Sequence, residues 1–261
     1  MTATQRIAHL RKSQSLQKAI ETKYLPMIYR AIRKYALDLI NAPDPSLLLI
    51  NPYLSDVIKR IYKVAGLANA TATRSDLRKT KAANFGTNDE FVQAILEYLS
   101  RYLLDKSVKN ISETTREWVM EQIREGQAEG LSFQQIARNI TGADYLKYQA
   151  LRVVRTETIR ATNVGAVAAM NASPFEVQKE WISAKDKRTR HSHRDLDGQV
   201  REMDEDFKPG LGQPGDPRAE AKEVINCRCT VAAVPKRDQN GRLIRKPVAM
   251  NPIPRRMLEA V

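Results

Sequence analysis

Trp181-Ile-Ser-Ala-Lys-Asp186-Lys-Arg188-Thr-Arg190-His191-Ser-His193-Arg-Asp195-Leu-Asp197-Gly198, closed by Glu223-Val-Ile-Asn226-Cys227-Arg-Cys229-Thr230, is the stretch around which the chain is organised. Two of the three histidines and both cysteines of the 261 residues fall inside it. Specific chemistry is therefore expected here. The apolar pattern also changes on entering it. Before Ser173-Pro174 the spacing is helical, whereas Phe175-Glu-Val-Gln-Lys-Glu-Trp-Ile182 alternates apolar and polar residues, as a half-buried strand does. The chain accordingly reads as α+β. A mainly helical N-terminal region is followed by a small mixed α/β module with short antiparallel strands.

Downstream of that strand, Asp197-Gly198 is a turn signal and Gln199-Val-Arg201 a short strand candidate. Residues Lys208–Pro217 hold three prolines and three glycines and must form a loop. Cys227–Val234 reads as the closing strand, and the tail from Pro235 as an extended cationic segment. Upstream, helical patterns span Thr2–Asn41, with Pro26 placed to break the helix in two, and Tyr53–Ala68. Thr71–Asn88 is polar and cationic and reads as a loop, or as a weak helix followed by a loop. Further helices are expected over Glu90–Leu104, Ser112–Glu129 and Ala143–Ala172. Gly130 reads as a C-cap glycine, and Ser132-Phe-Gln-Gln135 as a capping box opening a short helix to Ile140. The expected organisation is a helical scaffold over 1–112, the module over 113–234 and a basic tail over 235–261.

Charge is concentrated at the ends. Residues 1–40 carry eight Lys/Arg against two acids, and Pro235–Val261 seven against two, within a formal net charge of +13. A near-neutral body with basic ends suits a polyanion or an acidic partner surface. The run Val164–Met170 is far shorter than the roughly 20 residues of a membrane span, and Met1–Arg6 lacks an apolar signal region. A cytoplasmic chain without membrane contact is expected, and two cysteines one residue apart make a poor disulfide framework.

The His/Cys cluster admits several chemistries. Zinc prefers four N/S ligands, and His191 and His193 with Cys227 and Cys229 would form a two-plus-two site if both pairs lay on extended backbone, where alternate side chains share a face. The two cysteines also read as small buried residues. A Cys thiolate with His193 as base is a third reading. A fourth is metal-assisted phosphoryl chemistry through His191, His193, Asp195 and Asp197. On the preceding helix, Glu157 falls on the apolar face with Leu146, Ala150, Val153, Ala161, Val164 and Ala168. A carboxylate there needs a cation, with Arg155, Arg160, Arg188 and Arg190 as candidates. It is either an active-site acid or one half of a fixed ion pair.

The ordered set Arg155-Thr156-Glu157, Asn163, Trp181, Asp186, Arg188-x-Arg190, His193-x-x-Leu196-Asp197-Gly198, Phe207, the Pro/Gly loop and Glu223-x-x-Asn226-Cys227-Arg228-Cys229 resembles the phage Mu F-like head morphogenesis family. The resemblance covers about residues 115–232 and is clearest over 152–230. In that family the position of His193 is the usual histidine and that of His191 is variable, which leaves a zinc site of His193, Cys227 and Cys229 with an unassigned fourth ligand. The resemblance implies a non-enzymatic minor capsid protein of a tailed phage or prophage, present in few copies. Such a protein acts in head morphogenesis, in the host cytoplasm during assembly and then inside the virion head near the portal vertex. Implied partners are the portal protein, packaged double-stranded DNA and other head or scaffold proteins. Some relatives carry C-terminal toxin domains, and the 27 residues after Val234 are too few for one. Arg155, Glu157, Arg188, Arg190, Asp197, Glu223 and Asn226 are then expected to form a polar network that fixes the module. The competing class is a metal-dependent enzyme acting on nucleic acid or nucleotide through His193, Asp197 and Glu223. A plain DNA-binding protein is the third.

Overall fold

Thr2 opens the first helix with a capping box: its hydroxyl accepts from the backbone N–H of Gln5, whose side chain accepts in turn from the N–H of Thr2. The computed structural model describes residues 1–78, 93, 97 and 104–246. Helix α1 runs over Ala3–Asn41, straight through Pro26. The expected break there does not occur. An interior proline costs about 3 kcal/mol. The same helix, however, buries Tyr24, Ile28, Ile32, Tyr35 and Leu39, each contributing roughly 1.5–3 kcal/mol.

After a short 3-10 turn at Pro45–Leu47, α2 spans Leu54–Arg78. It thus continues through the polar stretch that begins at Thr71, because Ala70, Thr73 and Leu77 still face the core. The helix expected over Glu90–Leu104 lies, apart from isolated positions, outside the described residues, as do 79–88 and the tail beyond 246. Helix α3 covers Leu104–Ala128, α4 Phe133–Gly142 and α5 Asp144–Asn171. Gly130, at φ 71°, turns the chain after α3 while Leu131 N–H returns to the Gly126 carbonyl at 2.9 Å. The Ser132/Gln135 capping box then opens α4.

α5 is the central rod. Every residue from Thr156 to Asn171 is buried, because α1 and α2 pack on it from one side and the sheet from the other. Such all-round burial explains why small residues dominate its second half. At Gly165 a methyl group would lie 2.1 Å from the carbonyl oxygen of Gly66 in α2, and nearby Asn69 Nδ2 donates to the Thr162 carbonyl at 2.7 Å.

The sheet follows. Strand β1 covers Val177–Ile182, a short helix α6 His191–Arg194, β2 Val200–Arg201, a second short helix α7 Ala221–Val224, and β3 Thr230–Pro235. The order is β2-β1-β3, antiparallel throughout, with Trp181 opposite Val231 and Lys179 opposite Arg201. The fold is α+β. The alternation in β1 suggested one wet face, yet Lys179 and Glu180 are buried as well as Trp181 and Ile182. Their charged ends have dedicated partners: Lys179 Nζ donates to the Gly212 carbonyl at 2.8 Å, and Glu180 Oε1 meets Arg6 Nε of α1 at 2.7 Å.

Two expectations are corrected at the C-terminal side. The closing strand begins at Thr230, so Cys227 and Cys229 precede it; Asn226, at φ 58°, bends the chain just before them. Residues 236–246 also fold back instead of running extended. A turn at Asp238–Gly241 brings Ile244 N–H to the Lys236 carbonyl, while Glu176 exchanges backbone hydrogen bonds with Lys236 and Ile244. One apolar core extends from Tyr24 and Ile58 through Val164 to Trp181 and Val231. Among the described residues no helix is long and apolar enough to cross a membrane. The close approach of α5 to α2 sets a test: Gly165→Ala is expected to lower stability by about 1–3 kcal/mol in chemical denaturation.

Candidate functional site

Three polar clusters surround the second half of α5. The first is built on the helix itself. Glu157 accepts a hydrogen bond from the Tyr62 hydroxyl of α2 and is held by Arg160 Nη1 at 2.9 and 3.0 Å from its two oxygens. Arg160 also donates to Ser107 Oγ of α3 at 2.8 Å and to the Gly215 carbonyl of the Pro/Gly loop at 3.1 Å. All four side chains are buried, so the charges gain little from water and depend on one another. Burial, followed by the adjoining carboxylate, pushes the Tyr62 hydroxyl well above its ordinary pKa and keeps it a donor. Of the four cations considered for Glu157, Arg160 is the one that pairs with it.

The Pro/Gly loop is fixed from within too. Asp216, 1% exposed, accepts from Gly212 N–H at 2.9 Å and from Arg218, which also reaches Asp206 at 2.7 Å. Neither Asp216, Arg218 nor Lys179 stood out in the sequence. Their residue types are ordinary in a polar loop or strand, and only the folded loop brings them together.

The second cluster is the His/Cys group. His193 is 1% exposed and lies on α6 with its ring edge-on to Trp181, centroids 5.1 Å apart. Its Nδ1 is 3.6 Å from Cys227 Sγ and 3.5 Å from Cys229 Sγ. Its Nε2 is 2.9 Å from Glu223 Oε2, an ion-pair contact off the hydrogen-bonding direction, and the same oxygen accepts from Ser192 Oγ at 3.0 Å. Burial alone would raise the Glu223 pKa, but Ser192 and His193 outweigh it and hold the carboxyl below its usual range. Cys227 is the sulfur favoured as thiolate. The hydrogen bond from the Cys229 thiol lowers it most, burial opposes, and His193 and the Cys229 N–H add to the lowering. Cys229 is correspondingly pushed up as the donor. His193, Cys227 and Cys229 offer ligand atoms all within 4.8 Å of one another.

His191 is not part of this group. Its side chain is 90% exposed and faces Asp195 at 3.4 Å. Residues two apart on a helical turn point to different sides, so the expected His-x-His pair on extended backbone is not formed. Asp197 is likewise engaged elsewhere: it accepts from Ser183 N–H at 2.9 Å and pairs with Arg6 at 2.9 Å and Lys185 at 3.3 Å. Burial works against its ionisation, yet these three contacts together hold its pKa below the ordinary aspartate value. His193, Asp197 and Glu223 are therefore not assembled as one catalytic set. The opening lined by the His/Cys group measures about 10 Å³, on the order of one water and too small for a nucleotide.

The third cluster is at the surface. Arg155 contacts Asn226 Oδ1 at 3.5 Å and Glu21 of α1 at 3.5 Å, while Asn226 N–H donates to Thr156 Oγ1 at 3.1 Å. Arg190 donates to the Ile225 carbonyl, and Arg188 is exposed. A groove of about 360 Å³ beside them is lined by Tyr145, Tyr148, Arg152, Arg155, Arg188 and Asn226, among others. The residues expected to form one network thus occupy separate clusters: Glu157 inside, Glu223 at His193, Asp197 against α1, and Arg155, Arg188 and Asn226 at the groove.

Residues 117–232 match the sequence model of the family described as Phage Mu protein F like protein. The minor head protein GP7 of Bacillus phage SPP1 is 35% identical over 118 residues, which is 43% of this chain and 38% of that protein. The NAD(+)--arginine ADP-ribosyltransferase EFV of Enterococcus faecalis (strain ATCC 700802 / V583) is 36% identical over 115 residues, 42% of this chain and 24% of that protein. The uncharacterized protein YqbB of Bacillus subtilis (strain 168) is 33% identical over 86 residues, 30% of this chain and 28% of that protein. The chain spans well under half the length of each of these relatives, and no solved structure matches it.

The interior pair yields a prediction. Arg160→Ala leaves Glu157 buried without its cation, and a loss of about 3–5 kcal/mol is expected in urea denaturation.

Proposed function

We propose that the chain is a non-enzymatic minor head protein of a tailed phage or prophage, associated with the portal vertex and in contact with packaged DNA. The observation that carries this reading is the Phage Mu protein F-like domain over 117–232, together with the similarity to the SPP1 minor head protein. Supporting a DNA contact, the surface groove sets the guanidinium groups of Arg152, Arg155 and Arg188 beside two tyrosines, a combination of cations for phosphates and rings for sugar or base contact. The basic N-terminal segment adds to the same field. Supporting a protein partner, Leu47, Leu49 and Ile50 between α1 and α2 are exposed in sequence, an apolar stretch suited to a portal or other head surface.

An enzymatic role is disfavoured by access. The His/Cys group is sealed, and the acids proposed to work with it are bound elsewhere. The match to the ADP-ribosyltransferase covers 24% of that protein, and its named activity belongs to the whole of it.

Quantitative mass spectrometry of purified heads and procapsids tests the assignment. A low, constant copy number relative to the portal is expected. Absence from particles, with abundant free protein in the lysate, would overturn it. For the DNA contact, retention of the purified chain on double-stranded DNA is expected to fall steeply with salt. The double variant Arg152→Ala/Arg188→Ala should reduce the slope of log affinity against log salt by about 2, roughly one for each lost phosphate contact.

A further inference from the structure

The sealed His/Cys group has the dimensions of a metal site. Zinc binds imidazole nitrogen at about 2.0–2.1 Å and thiolate sulfur at about 2.3 Å, so a tetrahedral centre requires N···S edges of about 3.5–3.6 Å. The distances from His193 Nδ1 to the sulfurs of Cys227 and Cys229 are 3.6 and 3.5 Å. We propose that His193, Cys227 and Cys229 bind one zinc ion, with Glu223 as the residue that positions the histidine.

Three further observations point the same way. First, Glu223 Oε2 lies 2.9 Å from Nε2, the ring nitrogen that faces away from the sulfurs. The ring thus presents Nδ1 to the cysteines, and a small rotation would complete the N–H···O contact to Glu223 that supports a metal-bound histidine from outside. Second, the Cys229 N–H lies 3.4 Å from Cys227 Sγ, a backbone donor aimed at a ligand sulfur. Third, all three ligands are buried, at 1–2% exposure. Binding Zn²⁺ to two thiols releases two protons, and the resulting Zn(thiolate)₂(imidazole) unit is neutral, which suits an apolar position against Trp181. The adjoining opening of about 10 Å³ limits the fourth ligand to something about as large as water. The site then acts as a staple. It ties α6 to the bend before β3, two segments too short to hold their places by backbone hydrogen bonds alone.

The test uses the full chain, purified without chelator, and is independent of whether the protein is found in phage heads. Elemental analysis is expected to give about one zinc per chain. After chelation, added Co²⁺ should produce sulfur-to-cobalt charge-transfer absorption. Cys227→Ser and Cys229→Ser should each abolish that band. Glu223→Gln tests positioning without touching a ligand: it should keep the band but weaken zinc affinity about 10- to 100-fold in competition with a chromogenic chelator. Wild-type protein that is folded, carries no zinc and gives no charge-transfer band with Co²⁺ would overturn the site. Unchanged affinity in Glu223→Gln would overturn the role of Glu223.

Discussion

The buried pair of Glu157 and Arg160 is the interaction on which the rest of the structure depends. It lies on the central helix and reaches three other elements: α2 through Tyr62, α3 through Ser107 and the Pro/Gly loop through Gly215. Two charges taken from water are costly unless their remaining donors and acceptors are also met. The pair therefore constrains its neighbours as well as itself. A loop with three prolines and three glycines gains a fixed path because a guanidinium needs its carbonyl, and because Asp216 and Lys179 take up the polar groups on either side.

The segment matched by the family model is packed against the helices before it. Tyr62 and Gly66 of α2, and Arg6 and Glu21 of α1, all lie outside residues 117–232, yet each touches a residue within them. The His/Cys group then sits on a base that is already rigid. Its chemistry is inward, and the outward chemistry is left to the arginine- and tyrosine-lined groove on the other side of Asn226.

Much of the architecture was legible in the residues. The capping boxes at Thr2 and Ser132 and the glycine stop at Gly130 are local hydrogen-bonding devices, complete within a few residues, and they appear where their patterns stand. Failures arose where distant burial overrode a local signal. Pro26 did not break α1, and α2 ran past Ala68 to Arg78, because an apolar face continued through both. Alternation in β1 likewise suggested one wet face until α1 covered Glu180, and it gave no sign of the partner that the loop supplies to Lys179 on the Trp181 face.

By itself the sequence determined the α+β class, the order of the long helices and the strands among the described residues, the resemblance of the segment over 117–232 to a known family, and the gathering of histidine and cysteines near one another in the chain. Spacing, caps and motif order are properties of neighbouring residues, so they survive without coordinates. The tertiary structure decided which residues act together. It chose Arg160 for Glu157, sent Asp197 to Arg6, separated His191 from His193, and set one imidazole between two sulfurs. The Arg6–Asp197 and His193–cysteine contacts join residues tens to hundreds of positions apart, which no local pattern encodes, and the choice among nearby partners for Glu157 and His191 depends on side-chain direction.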